Sequence, residues 1–219
     1  MDVMKKINWF DHFVNLVVVI GGITIAFTMD NWKETRKQAV TEQQYVDSFI
    51  RDLTEDKNEL EELITSDSTQ FNSLIQIFKL QSINDPIDSL EESLNWMGTY
   101  NQFSGQNITF ESLQNSGKFE ELWGLELRMK ILNNYHKGYG KVRDIEVYFQ
   151  KNFDDNVLPY FINEMIFKNQ DRRKEQVLEP HFKNILAFQI SFLKQKIDAT
   201  RELKETTEEL LNLFEEMNP

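Results

Sequence analysis

Residues 13–37 read FVNLVVVIGGITIAFTMDNWKETRK, and the environment of this run decides the fold. No charged side chain occurs between Asp11 and Asp30, and ten of the intervening residues are Leu, Ile, Val or Phe. At roughly −0.3 to −0.6 kcal/mol each on an insertion scale, these ten contribute about −3 to −6 kcal/mol towards a bilayer. Asn15, Thr24, Thr28 and the Gly21–Gly22 pair subtract part of that gain. A helix from Trp9 to Trp32 rises about 36 Å, enough to cross a hydrocarbon core of about 30 Å. Trp9 and Trp32 then fall where interfacial aromatics are favoured, and Lys33, Arg36 and Lys37 reach the headgroups. The reading is a tail over 1–12, a transmembrane helix over 13–32 and an extramembrane domain over 33–219. A buried core helix would need apolar neighbours on every side. A cleaved signal would need small residues at alternate positions, where AFTMDNW offers Thr28 or Met29.

The rest of the chain is of another kind. Residues 1–32 contribute −1 to the net charge of −12, residues 33–40 contribute +2, and 41–219 carry the remaining −13. So acidic a body repels phosphate backbones, and no nucleic-acid partner is expected. The absence of cysteine removes disulfides, thiolate metal sites and a cysteine nucleophile.

Helical periodicity runs through this body. Tyr45, Phe49, Leu53, Leu60, Leu63, Ile64, Phe71, Leu74, Ile75 and Phe78 recur in steps of three, four and seven. TSDST (65–69) either breaks that helix or lets it run on to about 82. NDPIDSLEESLNWMG reads as a short helix with Asp85 as cap, Pro86 in the first turn and Gly98 at the end. ITFESLQNSG reads as another, with Thr109 as N-cap, Ile108 stapled onto Leu113 and Gly117 as the stop. A longer helix spans about 125–152, weakened at Gly138 and Gly140, and Pro159 divides it from a segment around 160–168. Glu179–Pro180 opens the last helix, about 180–216, with Phe182, Leu186, Leu193, Ile197, Leu203, Leu210 and Phe214 on its face. No strand alternation persists. The expectation is an all-α chain, an N-terminal transmembrane helix followed by an elongated antiparallel helical bundle.

VVVIGGITIAFTMDNWKETRK resembles the N-terminal signature of a family of uncharacterised Bacteroidetes single-pass membrane proteins. In that family an apolar helix ends in Asn-Trp followed by mixed charges, as at Asn31, Trp32, Lys33, Glu34 and Arg36. TFESLQNSGKFEEL followed by ELRMKILNNYHK is similar to the family's Ser-Gly turn between two helices. The resemblance implies a protein of the inner (cytoplasmic) membrane with its helical domain outside the cytoplasm. It implies no activity. Lys5 and Lys6 against Lys33, Arg36 and Lys37 slightly favour the reverse orientation. Long domains translocate regardless of such charges, and the expected topology is N-in, C-out.

Catalytic constellations are sparse. The pairs Glu61–Glu62, Glu91–Glu92, Glu120–Glu121, Glu208–Glu209 and Glu215–Glu216 are adjacent on helices, so each pair diverges by about 100° and reads as solvated surface. None of His12, His136 and His181 has Glu three residues before it, as a di-iron bundle requires. Gly138-Tyr139-Gly140 lacks the Lys-Ser/Thr of a phosphate loop. The rings of Tyr135, Tyr139, Tyr148, Phe149, Phe153, Tyr160 and Phe161 read as core or as the lining of a pocket. The expected function is therefore non-enzymatic: a membrane-anchored helical scaffold, sensor or interaction protein of the bacterial envelope. The alternative is a membrane-anchored hydrolase or small-ligand-binding protein using an aromatic pocket in the 135–165 region. No cofactor is expected. The expected partners are the lipid bilayer, an envelope protein and a second copy of the chain. For the last, Asn15, Gly22 and Ala26 share one face of the membrane helix.

Overall fold

The computed structural model describes residues 9–85 and 90–218, without the side chains of Asp11, His12 and Gln170. Lys5, Lys6 and Pro86, used in the sequence reading, lie outside the described residues. Every regular element among the described residues is helical. The elements are α1 (Trp9–Lys79), α2 (Leu90–Asn95) with a 3-10 turn (Trp96–Gly98), α3 (Ile108–Asn115), α4 (Phe119–Leu122), α5 (Leu125–Leu132), α6 (Tyr139–Asn152), α7 (Leu158–Asn163), α8 (Gln170–Gln176) and α9 (Pro180–Met217). Two π turns, Asn133–Gly138 and Phe153–Val157, join α5 to α6 and α6 to α7. The chain forms two compact units that part between Tyr45 and Val46.

In the second unit the α1 segment from Val46 lies antiparallel to α9. Asp47 meets Asn218, Lys57 meets Glu208 (3.6 Å), Glu61 meets Lys204 (3.1 Å) and Asp67 meets Lys196 (3.0 Å). At the far end Lys183 donates to the carbonyls of Ile77, Phe78 and Leu80, so its ammonium caps the C-terminus of α1. The polar run TSDST does not break α1. Thr65 and Thr69 return their hydroxyls to carbonyls four residues back, and Asp67 is buried against Lys196.

Both long helices bury a seam with alternating steps of four and three. On α1 it is Phe49, Leu53, Asp56, Leu60, Leu63, Asp67, Gln70, Leu74 and Ile77. On α9 it is Phe182, Leu186, Gln189, Leu193, Lys196, Thr200, Leu203, Thr207, Leu210 and Phe214. The polar members form a band inside the unit. Apolar clusters flank it, with Phe49 stacked on Phe214 (4.9 Å) on one side and Leu74, Ile77, Phe149, Tyr160 and Phe182 on the other.

The path α5–α7 also runs antiparallel to α9, pairing Asn134 with Thr206, Lys141 with Glu202, and Asn152 with Gln189. Its inward residues keep the rhythm of four and three except at the π turns. There two fours come in succession: Ile131, Tyr135, Tyr139 and again Phe149, Phe153, Val157. The π turn absorbs the extra residue and keeps the rings facing inward. Gly138, in the first π turn, is a packing glycine: a Cβ there would lie 2.7 Å from Leu203 Cδ1.

Two local expectations are corrected. Thr109 lies inside α3, whose N-cap is Asn107, and its hydroxyl donates to Asp52, 57 residues away. Ile108 is exposed as the first residue of α3, whereas Leu113 is fully buried. Asp85 turns its carboxylate back to the N–H groups of Gln81 and Ser82, and residues 86–89, where the helix expected to follow it would start, lie outside the described residues. Gly117 does end α3, with φ at +72°.

Candidate functional site

The apolar run occupies the first unit. Its Val, Leu, Ile and Phe side chains from Phe13 to Phe27 are all exposed, and an 18-residue window of mean hydropathy 1.9 has none of its residues buried. Asn15, Gly22 and Ala26 lie exposed along one side of α1, and no other residue approaches Gly22. Thr24 and Thr28 satisfy their hydroxyls on the carbonyls of Ile20 and Thr24 (2.8 Å each). That removes two free donors that hydrocarbon would penalise. Trp9 stacks on Phe13, and Arg36 lies over the ring of Trp32 at 5.7 Å. Lys33 and Lys37 are exposed beside them.

In the second unit the buried polar band holds a strap, the non-helical segment 99–107. Three of its backbone N–H groups are met by carboxylates. Phe103 donates to Glu146 (2.9 Å), Ser104 to Glu59 (2.8 Å) and Gln106 to Asp56 (2.6 Å). Gln70 donates to the carbonyls of Trp96 (2.6 Å) and Thr99 (2.9 Å), and Lys196 to that of Asn101. Gly105 permits the close passage: its φ is +37°, and a Cβ would lie 2.7 Å from both Phe103 and Tyr139 rings.

The charges of this band are shaped by burial. Asp56 is fully buried, which pushes its carboxyl up to about 6 against the opposing pull of the Tyr139 hydroxyl and the Gln106 N–H. Burial likewise raises Glu146, against the Phe103 N–H and the Lys196 ammonium, and raises the Tyr135 and Tyr139 phenols. Lys196 lies 3.0 Å from Asp67 Oδ2, an ion pair without hydrogen-bond alignment, and 3.6 Å from Glu146 Oε1. The band therefore fastens three helices and the strap.

Grooves indent this unit, and three of them are described by their linings. The first, about 430 Å³, runs between α6 with its following π turn and α9, past Tyr148, Asn152, Asn156 and Phe188. The second, about 470 Å³, lies beside Arg173, Phe161 and Phe167, and the third, about 150 Å³, beside Gly138. Neither Asp56 nor Glu146 lines any of the three. Among the described residues no group of three His, Asp or Glu side chains converges as a metal ligand set would. Of the aromatic residues read as core or pocket, Tyr135, Tyr139, Phe149 and Tyr160 are core, Phe153 and Phe161 are half-buried, and Tyr148 faces outward. Nine of the ten residues in the glutamate pairs are exposed, and the tenth, Glu208, is half-buried and pairs with Lys57 and Lys204.

A family model matches residues 15–196, more than four-fifths of the chain. The protein belongs to a family of unknown function, DUF6090. No curated protein matches, and no solved structure matches. The match takes in the apolar run from Asn15, the strap and the carboxylates that hold it, and α9 as far as Lys196. The buried carboxylates and Lys196 escaped the sequence reading, which followed only apolar steps. Their signal was there: each polar residue fills a gap at a step of three or four.

Proposed function

We propose that this member of DUF6090 is a non-enzymatic, single-pass membrane protein of the bacterial envelope. The run 13–32 is its anchor, and its helical body, outside the cytoplasm, meets another envelope component. The observation that supports this most is the uncharged stretch from Phe13 to Met29, whose large apolar side chains are all exposed. Left in water, so large a continuous apolar surface is unfavourable, and lipid removes the penalty. The interfacial residues Trp9, Trp32, Lys33, Arg36 and Lys37 fit the same reading. The body supports a binding or scaffolding role because the carboxylates raised by burial, Asp56 and Glu146, are engaged in holding the strap. Carbonate and high-salt washing of native membranes tests the anchor: the protein stays in the pellet, and release into the supernatant overturns the reading.

Self-association belongs to the same proposal, through Asn15, Gly22 and Ala26, where close backbone approach and an interhelical amide bond stabilise pairs in lipid. Light scattering of the detergent-solubilised protein reads an oligomer that Gly22→Ile with Asn15→Leu reduces. The seam residues Phe49, Leu53, Leu60, Leu203, Leu210 and Phe214 take no part, because they are buried within the chain itself.

A further inference from the structure

The first groove is lined by amides, aromatic rings and one Lys–Asp pair. Its charges cancel: Lys151 pairs with Asp155 at 2.8 Å, both on one wall. The same wall carries the amides of Asn152 and Asn156, and the α9 wall carries Asn184. Tyr148 and Phe188, each more than three-fifths exposed, offer apolar ring surface on opposite walls.

The amides are held in a fixed order. Asn156 Nδ2 donates to Asn152 Oδ1 (3.0 Å), and Asn152 Nδ2 donates to Oε1 of Gln189 (2.7 Å). Gln189 is completely buried on the α9 seam, and its own Nε2 has no partner. An orphaned amide at a seam position costs stability, so its retention there asks for a reason. Its visible effect is to lock the orientation of Asn152 from behind. Asn152 is the last residue of α6, and the π turn that follows it, a helix irregularity that recurs at functional sites, carries Asp155 and Asn156.

We propose that this groove binds a neutral pyranose saccharide. A pyranose has a face of C–H groups that stacks on an aromatic ring, whose π face is electron-rich. Its neighbouring hydroxyls each donate and accept, and ordered amides offer a donor and an acceptor side by side. The cancelled charge disfavours nucleotides and charged peptides. A volume of about 430 Å³ is within the range of small-molecule sites. The inference deepens the interaction role proposed above by naming a ligand class. It does not depend on the anchor, so membrane extraction and sugar binding fail separately.

The test is saturation-transfer NMR on the full chain in micelles of a polyoxyethylene detergent, which has no sugar headgroup. The probes are chitotriose and maltotriose. The expected result is saturable transfer to pyranose ring protons, with a dissociation constant of about 1 mM or tighter. Phe188→Ala and, separately, Asn156→Ala weaken it about fivefold to tenfold. Both positions are exposed, so circular dichroism and the melting midpoint stay unchanged. A response to both sugars marks a general pyranose site, and one to chitotriose alone marks N-acetylated sugars. Absence of saturable transfer with both, or transfer that neither substitution weakens, overturns the proposal.

Discussion

Lys196 on α9 and Asp67 on α1 form an ion pair of 3.0 Å in which each side chain is at least 98% removed from solvent. The same ammonium reaches Glu146 on α6 and the carbonyl of Asn101 in the strap. One side chain thus joins four segments distant in sequence.

Replacing it exposes that arrangement. Lys196→Met keeps the length and the apolar stem but leaves Asp67 buried beside Glu146 without a cation. The expected loss is about 3–5 kcal/mol of unfolding free energy, read by urea titration of the full chain in micelles. Adding Asp67→Asn recovers part of it, because the uncompensated charge disappears. A single variant as stable as the parent would show that the pair does not hold the band.

The sequence revealed the apolar frame and hid the polar one. Leu74 and Leu186 were legible because apolar residues at helical steps have one common explanation, burial. Asp67 and Lys196 obey the same steps, but each looks like solvated surface until its partner is known. Reading them needed the antiparallel alignment of α1 with α9, which the hydropathy pattern does not set. Thr109 failed for a related reason. A local rule made it a cap, whereas Asp52, far away in sequence, captured its hydroxyl. The π turns were open to detection as consecutive steps of four at Tyr135 and Phe153.

Two nearby glycines separate packing from propensity. Gly138→Ala brings a Cβ to 2.7 Å from Leu203, which is buried, and costs about 1–3 kcal/mol through overpacking. Gly140→Ala, also helical, meets nothing within 4 Å and gains up to about 1 kcal/mol from helix propensity. Thermal melts of the two variants move in opposite directions. Equal shifts would contradict the close approach of the first π turn to α9.

The anchor reading carries its own substitution. Val19 is more than half exposed, so Val19→Arg disturbs no core. It costs about 2.5–3.5 kcal/mol of insertion near the centre of a span. A glycosylation-reporter assay of the run reads a lower inserted fraction, and unimpaired insertion would remove 13–32 as a span. For topology, protease added to spheroplasts digests residues 41–219 if the body lies outside. Protection of that segment with an accessible N-terminal tag would invert the orientation.

Stability of the body rises as pH falls from 7 towards 4. Asp56 is raised from 3.8 in the unfolded chain to about 6 in the fold, chiefly by burial. A carboxyl raised on folding binds its proton more tightly in the native state. Its contribution is therefore fully present below pH 3.8 and is lost as pH rises through about 6. The difference between those limits is about 3 kcal/mol, of which about 1 kcal/mol is regained between pH 7 and pH 5. Glu146, also raised by burial, acts in the same sense. Asp85 and Glu202, lowered by their hydrogen bonds, act in the opposite sense from the ordinary carboxylate range downward. Relief of the net charge of −12 also favours the fold on acidification, so the parent alone does not isolate Asp56. Asp56→Asn does. It keeps an acceptor for the Gln106 N–H and removes the titration. Urea midpoints at pH 7 and pH 5 should then differ less in the variant than in the parent, by about 1 kcal/mol in free energy. Equal pH dependence in both proteins would show that the carboxyl held by Tyr139 does not titrate in this window.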